Sequence, residues 1–411
     1  MALRAAPVRI GKGKPVDRNS RICIVGGGPA GLSLAMYLEK NGYDNYRIFE
    51  RADHVGGKAF SPLMKVKNAN GEWEDRTIEM GAVMGCDTYF AVHECEGFGG
   101  TTHEDGPKMG RKFMNTETHR KAFLDMLGWP LNADLPRPIP KAEIIEELGD
   151  EGEYTVFRMR IEVLEGLWQT GLYYRLNSEE RRPLVICQHG GAGTPELVSG
   201  FYFDGSTVNY HGMVTGLLPH RVHVFMPALL LWDPAFYGQP YDRVRIDARL
   251  KRVGSSITAL EVYAITRVLD YFEATVNPLS FGMVGCSYGG HYTLFTTAAE
   301  PRIRSAISSS FFSDRRQYAW PDWVWRDAAA LYDDPEIACL CYPRRLCVTM
   351  GDRDELFALP HTLAAEAQVK DYCRDAGVDP DSWFDSIIFP GVHEYVLDPA
   401  PVERLIRDLE A

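Results

Sequence analysis

The apolar positions of this chain fall into short unbroken runs separated by longer stretches in which apolar and polar residues mix with helical spacing. Residues 21–25 read as a strand, a helix follows to about residue 41, and residues 46–49 read as a second strand. Residues 119–127 have the period of a short amphipathic helix, ended by a crossing with Pro130, Pro136, Pro138 and Pro140. Residues 154–163 and 167–176 alternate with period two and meet at Glu165-Gly166, which predicts an antiparallel pair. Residues 183–187 are a short apolar run of the kind buried on both faces of a sheet, residues 281–284 read as a short buried strand, and residues 222–226, 303–307, 346–350 and 386–389 read as further short strands. Between and after them, residues 257–274, 291–300, 363–376 and 402–410 carry helical patterns. Strands alternating with helices predict an α/β fold, a doubly wound and mostly parallel sheet covered on both faces.

Composition narrows this picture. A chain of 411 residues has room for two or three domains. The pattern divides it into a lead at 1–20, a small domain at 21–100, a linker at 101–118 and a large domain at 119–411. Residues 97–115, rich in Gly, Thr, Lys and His without apolar periodicity, carry the linker reading. A net charge of -12 argues against a nucleic-acid partner. No apolar run is long enough to span a bilayer, so no membrane partner is expected. The basic N-terminus has no apolar centre, so it does not read as a secretory signal. The nine cysteines form no CxxC pair. Cys23, Cys187, Cys286 and Cys347 sit in apolar runs and are expected to be reduced buried thiols, which places the protein in a reducing, cytoplasmic compartment. His211, His220 and His223 lack metal-ligand spacing, and no metal site is expected.

The chemistry concentrates at Gly285-Cys286-Ser287-Tyr288-Gly289, between a strand and a helix. A turn this tight strains the central residue, and only small residues two positions either side avoid the neighbouring backbone. Gly285 and Gly289 occupy those positions, and Gly290 adds clearance. A serine hydroxyl needs a base to take its proton and an acid to hold that base in the right tautomer. Asp352 and Asp354 follow the strand at 346–350, and His393 follows the strand at 386–389. The reading is Ser287 as nucleophile, His393 as base and then acid, and Asp354 as the orienting carboxylate, with Asp352 the alternative. Oxyanion donors are expected from the amides of Tyr288, at a helix N-terminus, and Gly191, in the His189-Gly190-Gly191 loop.

From about residue 119 onward the chain resembles α/β-hydrolases of the dienelactone hydrolase and acetyl-xylan-esterase-like group. The likeness rests on GCSYGG, on AEPRIRSAISSS, on DDPEIACLCYPRRLCVTMGDRDELF and on FPGVHEY. It implies ester hydrolysis through an acyl-enzyme, a small-molecule ester substrate and no cofactor for that step. Dienelactone hydrolases use Cys as nucleophile. Here the position is Ser287, and Cys286, one residue early, is expected to face the core. The SYGG run also resembles prolyl-oligopeptidase-type peptidases, but nothing here has the length or repeat of their propeller. Phe311, Phe312, Tyr318, Trp320, Trp323 and Trp325 read either as a cap lining an acyl or sugar pocket or as core beneath a long loop.

The small domain carries a second signal. Gly26, Gly28 and Gly31 are spaced G-x-G-x-x-G between a strand and a helix, and Glu50 ends the next strand. Glycines there let the backbone approach a pyrophosphate, and the acid can take ribose hydroxyls. With Val55-Gly56-Gly57-Lys58 and Glu79-Met80-Gly81-Ala82, the segment resembles the N-terminal part of flavin amine-oxidase-like FAD enzymes. That likeness implies FAD, with Gly57 along the cofactor. The family's substrate domain and its returning C-terminal piece have no counterpart, so the domain reads as a partial Rossmann-type FAD/NAD(P)-binding fold. An FAD-dependent oxidoreductase fused to a hydrolase is the alternative function.

Overall fold

The computed structural model describes residues 19–26, 29–40, 42–50, 63–67, 73–77, 117–191, 193–199, 208–230, 242–318, 332–396 and 398–411. The chain forms two compact units, Met1–Glu104 and Asp105–Ala411.

In the first unit, β1 (Ile22–Val25) and β2 (Tyr46–Phe49) pair in parallel, joined through α1 (Pro29–Lys40). A hairpin of β3 (Leu63–Lys67) and β4 (Trp73–Thr77) follows, in a stretch whose short polar runs give no strand signal. Ile24, Ala35, Leu38 and Tyr43 form a small core. Cys23, expected to be buried, is exposed. Alternation along β1 turns Ile22 and Ile24 towards α1, and Cys23 and Val25 point the other way.

The second unit is built on one nine-stranded sheet. Its strands are β5 (Ala142–Glu151), β6 (Tyr154–Leu164), β7 (Leu167–Leu176), β8 (Leu184–Gln188), β9 (His223–Pro227), β10 (Phe281–Cys286), β11 (Ile303–Ser309), β12 (Arg345–Gly351) and β13 (Phe384–Phe389). They lie in the order β13-β12-β11-β10-β8-β9-β7-β6-β5. From β13 to β9 all neighbours are parallel; β7, β6 and β5 form an antiparallel meander at the other side. Alternate residues of each parallel strand serve opposite faces. Ile186, Met283, Ala306 and Val348 pack into one core, with α2 (Glu117–Leu127), α5 (Ile257–Thr275), α6 (Tyr288–Ala299), α7 (Asp334–Cys339) and α8 (Leu359–Ala376). Cys187, Val284, Ile307 and Cys347 pack into the other, with residues 208–220 and α9 (Ala400–Glu410). This two-faced burial is why β8 and the first residues of β10 read as unbroken apolar runs.

Four elements of this unit carry no apolar signal. The edge strand β5 is AEIIEELGDE, held by Arg158 on Glu146 and Arg160 on Glu143. Helix α4 (Arg243–Lys251), RVRIDARLK, alternates polar and apolar residues without helical spacing and starts at its cap, the Asp242 carboxylate accepting the Arg245 amide. The short α7 starts at a capping box of Asp333 and Glu336, and α3 (Pro195–Ser199) is a single buried turn. Helix α6 begins at Tyr288, three residues before the expected 291, because the turn feeds directly into it.

Buried titratable groups make stability pH-dependent. His223 Nδ1 accepts the Leu176 amide at 3.2 Å and meets the Tyr173 hydroxyl at 3.2 Å. Burial, with Arg175 nearby, lowers its pKa from 6.5 to about 4. The unfolded chain therefore takes up this proton first as pH falls. The contribution is fully present above about pH 6.5 and is lost as pH drops through about 4, amounting to on the order of 2–3 kcal/mol. Fully buried His291 acts in the same direction. Buried Asp333 and Asp334, whose carboxyl pKa values desolvation raises, act in the opposite direction, so the test is a difference: between pH 6.5 and 4 the parent's thermal unfolding midpoint is expected to drop relative to that of His223→Gln.

Candidate active site

Strand β10 ends in a turn at which Ser287 has φ +59° and ψ -121°. A serine at positive φ costs about 1–3 kcal/mol and persists only where its surroundings fix it. Here the Ser287 amide donates to the Ser309 carbonyl at 2.9 Å, and its carbonyl accepts the His291 amide at 2.9 Å. The glycines around it are steric necessities. A Cβ on Gly289 would run into the Gln188 carbonyl, and one on Gly285 into the Gly289 backbone. A Cβ on Gly190 would stand 2.6 Å from the Cys286 oxygen and 2.9 Å from the Ser287 Cβ. The loop after β8 is thus pressed against the serine. Because the obstruction at Gly289 is backbone, Gly289→Ala is expected to cost about 3 kcal/mol, read as a lower unfolding midpoint. Cys286 is fully buried beneath the turn, where desolvation raises its thiol pKa far above the usual range.

Asp354 follows β12 and His393 follows β13. Their side chains are joined by a 2.9 Å hydrogen bond from His393 Nδ1 to Asp354 Oδ2. The Asp354 side chain has no exposed surface, and its other oxygen accepts the Leu356 and Phe357 amides at 2.8 and 2.9 Å. Three donors hold an ionised acceptor in place, and the proton on Nδ1 leaves the Nε2 lone pair available. The Phe357 ring lies against the imidazole, centroids 5.8 Å apart. Asp352 takes another role: it is exposed and accepts the Gly391 amide at 3.0 Å, a bond that lowers its pKa and braces the histidine loop.

Strands β10, β12 and β13 run parallel, so all three turns leave the same end of the sheet. Two successive residues tie the serine turn to the histidine loop. The Ser309 carbonyl holds the Ser287 amide, and the Ser310 hydroxyl donates to the Glu394 carbonyl at 2.7 Å. Among the described residues the hydrogen bonds of His393 join its ring to Asp354 and not to the Ser287 hydroxyl.

Tyr288 is the first residue of α6, where a helix does not use its amides internally. Gly191 lies beyond β8 in a loop held by His189, whose Nδ1 donates to the Gly190 carbonyl at 2.8 Å while Nε2 accepts the Leu229 amide at 3.0 Å. Of the aromatic run, Phe311 and Phe312 are core, and Tyr318 packs at a tilt against Phe357, centroids 5.0 Å apart, and accepts the Ala358 amide. Trp320, Trp323 and Trp325 lie outside the described residues. Tyr210, His211 and Glu394 also contact these loops; Asn209-Tyr210-His211 fits no motif, and the sequence weighs His211 only as a metal ligand.

In the first unit, Gly26 has φ +101° and its amide donates to the Phe49 carbonyl at 2.8 Å. A Cβ on Gly31 would collide with the Gly26 carbonyl. The turn after β1 and Glu50 after β2 therefore share one end of the parallel pair. Gly28 and Gly57 lie outside the described residues.

Comparison with known proteins bears on the fold. The NAD(P)-binding Rossmann-like domain family matches residues 24–83. Among solved structures, a candidate acetyl xylan esterase from Bacteroides fragilis superposes with a TM-score of 0.56 at 13% identity, over 80% of this chain and 85% of that one. A glucuronoyl esterase from Solibacter usitatus superposes with a TM-score of 0.53 at 15% identity, over 71% of this chain and 91% of that one. The fold is that of the α/β-hydrolases, accompanied by an N-terminal Rossmann-like segment.

Proposed function

We propose that the larger unit is a serine carboxylester hydrolase. The observation that carries the reading is a serine held at φ +59° on a glycine-walled turn, on the same sheet edge as a buried Asp354–His393 pair. In this reading Ser287 Oγ attacks the ester carbonyl carbon while His393 Nε2 takes its proton. The Tyr288 and Gly191 amides receive the developing oxyanion. The tetrahedral intermediate expels the alkoxide, which leaves as the alcohol with the proton from His393. Water, deprotonated by the same nitrogen, then releases the acid and restores Ser287. The named activities of the structural neighbours favour carboxylic esters of carbohydrates, with the sugar as the alcohol or the acid component, as the substrate class. A fluorophosphonate probe is expected to label one peptide, the one containing Ser287; labelling elsewhere, or none, would overturn the assignment.

A second reading concerns the first unit. Its Gly26 and Gly31 geometry and its family match favour a dinucleotide, and FAD is the form the flavin-enzyme likeness suggests. Gly26 and Gly31 would admit the pyrophosphate and Glu50 the ribose hydroxyls; a bound flavin would supply two-electron redox chemistry. Purified protein titrated with FAD is expected to gain a protein-bound flavin absorbance. Protein that stays colourless after desalting counts against it.

A further inference from the structure

A short 3₁₀ turn, Val208–Tyr210, precedes β9. Three consecutive residues at its end reach loops that leave different strands. The buried Tyr210 hydroxyl accepts the Gly190 amide at 2.9 Å and donates to the Gly191 carbonyl at 3.4 Å. The Asn209 carbonyl accepts the Tyr395 amide at 2.7 Å. His211 Nε2 meets Glu394 Oε2 at 2.6 Å, an interaction that lowers the Glu394 pKa. Glu394 and Tyr395 directly follow His393. His211 has φ +47° and Gly212 φ +66°, so the chain turns sharply just where its contacts pass from one loop to the other. Met213, Val214 and Leu217 anchor this segment in the core that also holds Cys286 and Tyr395.

The effect on the first loop follows from peptide geometry. Carbonyl and amide point in opposite directions across a planar trans peptide. His189 Nδ1 and the Gly193 amide hold the Gly190 carbonyl, at 2.8 and 3.2 Å, and so aim the Gly191 N–H the other way. Tyr210 fixes the peptides on both sides of that one. Glycines have no Cβ to restrict them, so this aim depends on such bonds.

We propose that Asn209, Tyr210 and His211 form a tie between the oxyanion loop and the base loop, with Tyr210 and His211 as positioning residues. Tyr210 sets the Gly191 amide, and His211, through Glu394, sets the height of His393. The chemical consequence rests on the ester-hydrolase reading; the tie itself does not.

The test uses the full chain, with hydrogen–deuterium exchange beside kinetics on p-nitrophenyl acetate. Tyr210→Phe is expected to raise exchange across residues 189–193 and to lower kcat about 10- to 100-fold with KM within about twofold. His211→Asn, tolerant of left-handed φ, is expected to raise exchange across 391–396 and to lower kcat about tenfold, whereas Glu394→Gln, which keeps an oxygen for His211, retains most of it. Unchanged exchange in both loops overturns the tie, and faster exchange with undiminished kcat overturns the positioning role. If the parent chain hydrolyses no ester, the functional reading falls and the exchange arm alone decides the tie.

Discussion

Ser287→Ala is expected to lower turnover of p-nitrophenyl acetate by at least about 10⁴-fold while leaving the unfolding midpoint unchanged or slightly raised. The loss is large because the hydroxyl is the atom that forms the acyl bond; no neighbour can substitute, since Cys286 is fully buried below the turn. The midpoint argument runs through strain. Alanine at φ +59° is no easier than serine, but the hydroxyl makes no hydrogen bond to His393 whose loss would be felt. Turnover within tenfold of the parent would end the nucleophile assignment.

Asp354→Asn is expected to cost about 10⁴-fold in kcat at neutral pH. The Leu356 and Phe357 amides both require an oxygen at the Oδ1 position. The asparagine must therefore turn its NH₂ towards His393 Nδ1. The ring then accepts there and carries its proton on Nε2, the wrong tautomer for a base facing serine. Asp352→Asn provides the contrast. That side chain is exposed and braces only the Gly391 amide, so a loss of no more than about threefold is expected. Equal losses in the two variants would remove Asp354 from its role.

How much of this was legible in the sequence depended on burial. The inner strands β8 and β10 were readable because both faces are covered, so that Leu184-Val185-Ile186-Cys187 could be taken only as core. The serine turn was readable because a steric rule dictates small residues at fixed positions. The elements that escaped are short or carry weak apolar spacing and are marked instead by polar bonds: β5 by arginine–glutamate pairs, α4 by the Asp242 cap, α7, buried though it is, by its capping box. Cys23 was misjudged because an apolar run on a two-stranded sheet keeps only alternate residues inside. Asp354 is preferred over Asp352 from the sequence alone because it lies farther into the loop, and the coordinates turn that carboxylate inward onto His393. The tie at Asn209, Tyr210 and His211 was invisible, since its partners lie 19 to 186 positions away and no local pattern announces such contacts.

The outermost strand β5 has a consequence for how copies of this protein meet. It breaks register twice against β6, between Ile144 and Glu146 and between Glu147 and Gly149, and it carries five carboxylates within ten residues. A second copy approaching this border would find its backbone groups out of step and its own like-charged margin repelled. Ile144 and Ile145 stand in the open there, yet this hydrocarbon is fenced by acidic neighbours, so the border is poorly suited to seed stacking of one sheet upon the next.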